Sequence, residues 1–339
     1  MTIDAHVDSF ADRPVVQVPA DGPLPAVDGP VAWRIDGFDD DDGFEDRLSP
    51  GFRDAFARFL DLVEAAGETV RALVIGSWGY AAFSPAPIAQ LCEAAERLPH
   101  LEALFLGDIV SEECEISWMK VGDVSPLLTA YPGLEVLRVR GGEDFRFSPV
   151  RHERLRRLEV QSGGLGRDFV RAVLGSELPA LEELELWLGT DGYGGDTTVA
   201  DLAPLLAGDL FPALRRLGLR NAEIADDLAK ALATAPVVRR LAALDLSLGT
   251  LGDRGALALA GGQPLTHLSK LDLHHHFLTD AGVAAIEAAL PGVRVDLSDR
   301  QEEDEHDEDE DDEGLGDDDE EWDGLAHERH PHRYTAVSE

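Results

Sequence analysis

One short pattern, Leu-x-x-Leu-x-Leu, recurs along the 339-residue chain and limits its possible folds more than any other feature. It is plain at Leu101-Glu102-Ala103-Leu104-Phe105-Leu106 and returns with Leu137, Leu158, Leu184, Leu217, Leu244 and Leu271 at its second leucine. A weaker first copy opens at Val70, and a degenerate last one covers Val293-Arg294-Val295-Asp296-Leu297. First positions fall at residues 70, 101, 134, 155, 181, 214, 241 and 268. The Leu-x-Leu alternation has the period of a strand with one buried face. Between the strands lie stretches with apolar residues three or four apart, such as Asp168–Leu174, Asp226–Leu232 and the segment opened by Thr279 at a helix N-cap. Pro99, Pro132, Pro179, Pro212, Pro236 and Pro291 follow these stretches and end them. A strand-turn-helix unit of this kind cannot bury its leucine stripe alone, so neighbours stack and share one core. The expected fold is an α/β solenoid with a parallel sheet on the concave face and helices on the convex face.

The spacing, with copies such as Leu278-Thr279-Asp280-Ala281-Gly282, resembles the ribonuclease-inhibitor-like class of leucine-rich repeats over about residues 70–298. That class usually places Asn or Cys three positions after the third leucine. Here those positions hold Trp78, Ile109, Gly142, Gly163, Gly189, Ala222, Gly249 and His276, so glycine turns are expected to replace a polar ladder. Leu104-Phe105-Leu106-Gly107-Asp108, Glu112–Trp118 and Leu271–His276 are similar to segments of an uncharacterised bacterial leucine-rich-repeat family across most of 30–300. That resemblance implies no assigned activity.

Three regions follow. Residues 1–66 form an N-terminal cap region: a strand at Val31–Ile35, a charged loop at Asp39–Asp42, and a helix opened by Ser49-Pro50 with Phe52, Phe56, Phe59, Leu60 and Val63 on one face. Residues 8–30, with five prolines, read as irregular. Residues 67–298 form the solenoid. Residues 299–339 hold 20 Asp and Glu against 3 Arg and read as an acidic disordered tail, either solvating or an arm for a basic partner or a weak divalent-cation sponge. The net charge of -38 argues against nucleic acid and membrane surfaces as partners. Two cysteines, no signal peptide and no long apolar run point to the cytoplasm.

Strand alternation turns the residue between the last two leucines, and the one after the final leucine, away from the core. The first row is Val74, Phe105, Arg138, Glu159, Glu185, Gly218, Asp245 and Asp272; the second is Gly76, Gly107, Arg140, Gln161, Trp187, Arg220, Ser247 and His274. The expected partner-binding set is Arg138, Arg140, Glu159, Glu185, Trp187, Arg220, Asp245, Asp272 and His274. An exposed Trp187 flanked by arginines would be a contact hot spot. Replacing Trp187 and Arg220 by Ala should then abolish binding and spare the fold. The plainer expectation is that these charges pair across strands and only solvate the sheet.

No catalytic site, metal or cofactor is assigned. The chain has no Gly-x-Ser-x-Gly elbow, no Walker loop, and no Gly-x-Gly-x-x-Gly after a strand. Cys114 has no identifiable His partner, and Glu112–Glu115 fits no zinc spacing. The glycine cluster Thr190–Asp196 reads as a mobile loop over the concave face. The expected function is a non-enzymatic protein- or peptide-binding scaffold. The alternatives are a metal or enzymatic site around His274 with Asp245 and Asp272, and a structural subunit of an enzyme complex.

Overall fold

The computed structural model describes residues 3–37, 47–303 and 333–337. Twelve strands lie side by side in sequence order: β1 (Ser9–Phe10), β2 (Arg13–Gln17), β3 (Ala32–Ile35), β4 (Ala72–Ile75), β5 (Ala103–Leu106), β6 (Val136–Arg140), β7 (Arg157–Gln161), β8 (Glu183–Gly189), β9 (Arg216–Ala222), β10 (Ala243–Asp245), β11 (Lys270–Asp272) and β12 (Arg294–Asp296). Among these described strands only β1 and β2 pair antiparallel; β2 to β12 pair in parallel. Eight helices join them among the described residues: α1 (Pro50–Ala66), α2 (Ile88–Glu93), α3 (Ser125–Ala130), α4 (Arg167–Leu174), α5 (Ala203–Leu206), α6 (Ala225–Leu232), α7 (Asp253–Ala260) and α8 (Asp280–Ala289). The result is an α/β stack of strand-and-helix units, as a solenoid-like repeat requires.

The register shows why the leucine spacing builds this stack. Leu73, Leu104, Leu137, Leu158, Leu184, Leu217, Leu244 and Leu271 lie opposite one another on successive strands, and all are buried. Each fully buried leucine stabilises the fold by about 1.5–3 kcal/mol relative to exposure. A three-residue turn closes onto the residue that opens six of the eight repeats: Leu101 N–H donates to Leu98 O, Leu134 to Tyr131, Leu181 to Leu178, Leu214 to Phe211, Leu241 to Val238 and Leu268 to Leu265. Just before the strands, one carbonyl of each repeat accepts two amides of the next. Glu102 O takes the amides of Glu135 and Val136, and Arg156 O takes those of Glu182 and Glu183. These contacts belong to the backbone and leave no mark in side-chain pattern.

The start of the chain extends the sheet. Residues 8–30, expected to be irregular, supply β1 and β2. Helix α1 begins where Ser49-Pro50 directs it: Ser49 accepts from Phe52 N–H, and Phe52, Phe56, Phe59, Leu60 and Val63 are buried. The helix stops at Gly67, whose left-handed conformation suits glycine. Thr279 caps α8 by accepting from Ala281 N–H. Asp39–Asp42 and most of the acidic segment, 304–332, lie outside the described residues.

Glycine turns follow the strands, as backbone packing demands. A Cβ on Gly142 would lie 2.5 Å from Ser117 O, and one on Gly249 would lie 2.6 Å from Ala222 O. The Thr190–Asp196 cluster does not hang free over the sheet. Thr190 N–H donates to Gly163 O, a Cβ on Gly164 would strike Tyr193 O at 2.1 Å, and Asp196 caps α4 through Arg167 N–H at 2.7 Å.

Candidate functional site

The sheet face turned away from the leucine core has three zones. In the first, Ala32, Ala72, Val74, Ala103 and Phe105 form an apolar patch, and Phe10 packs into it with its ring 5.8 Å from that of Phe105. Asp108 anchors this cover. It is fully buried and ion-paired with Arg34, and it accepts from Val7 N–H at 3.3 Å. Burial raises the Asp108 carboxyl above the usual range against the pull of Arg34 and Arg140. The sequence reading missed this role. The only signal was an acid directly after Gly107, at the end of an apolar strand.

The second zone carries the charges of β6 to β9, and they pair across strands. Arg138 Nε lies 2.7 Å from Glu159 Oε2, and the Arg138 guanidinium stacks on Phe10 and Phe105. Gln161 donates to Glu159 at 2.6 Å and accepts from Arg140 at 2.8 Å, while Arg140 also reaches Ile109 O. Arg220 donates to Glu185 at 2.7 Å and to Ser247 at 2.8 Å, and it lies over the Trp187 ring at 5.1 Å. Trp187 Nε1 donates to Glu185 at 2.8 Å. Burial pulls Arg140 down to about 10, still charged at neutral pH. Burial and the neighbouring Glu185 raise Glu159.

This zone is covered. Trp187 is 2% exposed, not open as expected. It sits in one apolar cluster with Ile3, Ile116, Leu248 and Val337, so segments from both ends of the sequence close over it. Ile3, Ala5 and Val7 roof a cavity of about 220 Å³ whose floor is the Arg138–Glu159–Glu185–Arg220 network. The reason is composition: a large indole beside paired charges offers apolar area, and the chain supplies Ile3 and Val337 to bury it.

The third zone is open. Gly218 stands in register between Glu185 and Asp245, and Asp272 follows Asp245 on β11. With no side chain at 218, the face dips into a hollow of about 280 Å³, lined by Glu183, Glu185, Asp245 and Asp272 and rimmed by Arg216, Lys270 and Arg294. Burial raises Asp245 despite the nearby Arg220. Burial also acts on Asp272, but hydrogen bonds from His274 at 2.7 Å and Lys270 at 2.6 Å outweigh it and hold that carboxyl below the usual range.

The structure therefore splits the expected set. Arg138, Arg140, Glu159, Trp187 and Arg220 form a covered network, Glu185 belongs both to it and to the open hollow, Asp245 and Asp272 line the hollow, and His274 lies beside Asp272. The three histidines do not act together. His275 is hydrogen-bonded to Tyr334 O at 3.3 Å, and His276 to Leu297 O at 3.0 Å. His274, Asp272 and Asp296 bring one ligand atom each within 4.8 Å of one another. Asp245 is not part of this group; it is taken up by Ser247 at 2.6 Å and by Arg220. Asp296 was missed because the last repeat has lost its leucines. Extending the register by one strand places it beside Asp272. Cys114 is buried, and burial pushes its thiol up to about 11, which opposes the thiolate at neutral pH.

The chain is similar to a Bacteroides fragilis protein whose crystal structure was determined as a structural-genomics target, with 31% sequence identity and a TM-score of 0.67. The similarity covers 76% of this chain and 74% of that one. The chain belongs to that protein's family. No family model matches the sequence, and no curated protein matches it. Among the described residues no helix is long and apolar enough to cross a membrane.

Proposed function

We propose that this family member is a leucine-rich-repeat solenoid of the ribonuclease-inhibitor-like class, acting in the cytoplasm as a non-enzymatic scaffold that binds a protein or peptide on its strand face. One observation carries the reading: the face already accepts polypeptide, since segments around Ile3 and Val337 lie against it and bury Trp187. The surface left for a partner is the hollow over Gly218. Its floor is acidic, so a basic segment complements it, with Arg216, Lys270 and Arg294 setting register at the rim. The sealed Arg138–Arg220 network keeps the sheet beneath it in one arrangement.

The test is a photo-cross-linking residue in place of Arg294, compared with one in place of Arg254 on α7. A discrete cross-linked species from the first site alone, lost on Gly218→Leu with an unchanged far-UV circular dichroism spectrum, is the expected result. Equal cross-linking from both sites, or persistence in Gly218→Leu, would remove this reading.

A second reading rests on the Asp272, His274 and Asp296 group. His274 Nε2 is shielded from solvent and has no hydrogen-bond partner among the described residues. Two carboxylates and an imidazole suit a divalent transition metal. Calorimetric titration of the full chain with Zn²⁺ and Mn²⁺ should give one site that Asp296→Asn removes. No binding heat, or heat unchanged in the variant, rejects a metal there.

A further inference from the structure

Three consecutive repeats place a residue other than glycine in the left-handed region at the same position, two after the final leucine: Asn221 (φ 50°), Leu248 (φ 68°) and His275 (φ 56°). Asn tolerates this conformation. For a bulky Leu it is strained and persists only where the surroundings impose it. These three residues are also the ones that grip residues 333–337. His275 Nε2 is hydrogen-bonded to Tyr334 O. Ala336 N–H donates to Leu248 O at 2.8 Å. The Asn221 amide takes both backbone groups of Val337: Val337 N–H donates to its Oδ1 at 3.0 Å, and its Nδ2 donates to Val337 O. One ladder of equivalent positions thus reads the backbone of one segment, laid across the repeats from His275 to Asn221.

Side chains of the segment enter separate recesses. The Arg333 guanidinium lies against Gly252, where a Cβ would stand 2.0 Å from Nη1, and pairs with Asp226 at 3.3 Å and Glu303 at 2.6 Å. The Tyr334 ring meets His275 and Phe277 edge-on at 5.7 and 5.3 Å, and its hydroxyl donates to Gln301 at 2.9 Å. Val337 joins the apolar cluster of Trp187, Leu248, Ile116 and Ile3. Backbone capture for affinity, with pockets for particular side chains, is how extended peptides are recognised.

We propose that the ledge of Asn221, Leu248 and His275 is a peptide-binding groove for an Arg-aromatic-x-x-aliphatic segment. It is filled in cis by Arg333–Val337, which a partner segment of that pattern displaces. This rests on the reading of the strand face as a polypeptide-binding surface, but the ledge lies apart from the Gly218 hollow, so the two fail separately. Displacement uncovers Trp187 beside its Arg220 partner and couples occupancy of the ledge to the sealed zone. The tether gives the cis segment a high effective concentration, so an external peptide competes poorly until that segment is weakened.

The test uses the full chain and a fluorescein-labelled peptide of residues 331–339, read by fluorescence polarisation. A chain carrying Tyr334→Ala and Val337→Asp should bind the peptide at least tenfold more tightly than the wild type. Adding Asn221→Gly, which keeps the left-handed backbone and removes the amide, should reverse that gain. Equal affinity for wild type and variant, or no binding to a variant with the wild-type far-UV spectrum, overturns the proposal. A concentration-dependent wild-type dimer, marking exchange between copies, overturns the cis assignment. Should the variant fail to fold, hydrogen exchange of the wild type decides. The Ala336 and Val337 amides should exchange at least a hundredfold faster than those of Leu217 and Leu244, and equal protection overturns the proposal.

Discussion

The sealed zone over β6 to β9 and the open hollow over β9 to β11 are built from the same kinds of residue on the same sheet face, yet they have opposite surroundings. In the first, Arg138, Glu159, Glu185 and Arg220 are paired under a roof of Ile3, Ala5 and Val7. In the second, Asp245 and Asp272 border open space because Gly218 contributes no side chain. A charge row on a strand face does not by itself mark a contact surface. What decides is whether another part of the chain has enough apolar area to cover it. Trp187 attracts such a cover; Gly218 offers nothing to bury.

The comparison can be broken most severely at Trp187. Trp187→Ala should cost about 3–5 kcal/mol, since the indole is enclosed, and should appear as a lower denaturation midpoint. A loss below 1 kcal/mol would mean the roof is not formed in solution. Arg220→Ala comes next, at about 3 kcal/mol, because it leaves Glu185 and Asp245 with uncompensated charge. Double-mutant cycles with Glu185→Gln would separate that pairing from packing.

A pH titration sharpens the contrast further. Burial lowers the His275 and His276 pKa values in the folded chain, against hydrogen bonds to the Tyr334 and Leu297 carbonyls, with Asp299, His274 and Arg300 nearby. A base depressed on folding contributes stability that is complete above its unfolded pKa of about 6.5 and is lost as pH falls through the folded value. The melting temperature should therefore drop between pH 7 and pH 5.5, and His275→Asn should shrink that drop. At the small end, Arg151→Ala should leave the melting temperature unchanged, since its partners Glu153 and Glu177 are exposed. Gly218→Leu should close the hollow at a small cost in melting temperature, since a Cβ there stands 3.0 Å from the flexible Glu185 Cγ, which must give way.

Much of the architecture was legible because each leucine row has one burial demand and a fixed period. Strand order, parallel pairing and the α1 and α8 caps all follow from spacing and from Ser49, Pro50 and Thr279. The facing of the charged residues was legible too, because alternation fixes it. Their exposure was not. It depends on Ile3 and Val337, more than a hundred residues from Trp187, and nothing local in Arg333–Val337 distinguishes a docked segment from an acidic tail's end. Asn221 escaped notice because it stands one residue before the column where a polar side chain was sought. Asp108 and Asp296 were hidden for related reasons: one closes an apolar strand, and the other sits in a repeat whose leucines have decayed.

The meeting of Ile3 and Val337 around one indole has a consequence for how this array comes apart. A linear stack of repeats ordinarily frays inward from its outermost units, one interface at a time. Here the two outermost described segments are fastened near the middle, so peeling from either side first requires undoing a clasp at β8. Unfolding should accordingly be steeper and more nearly all-or-none than a stack of this length would otherwise show.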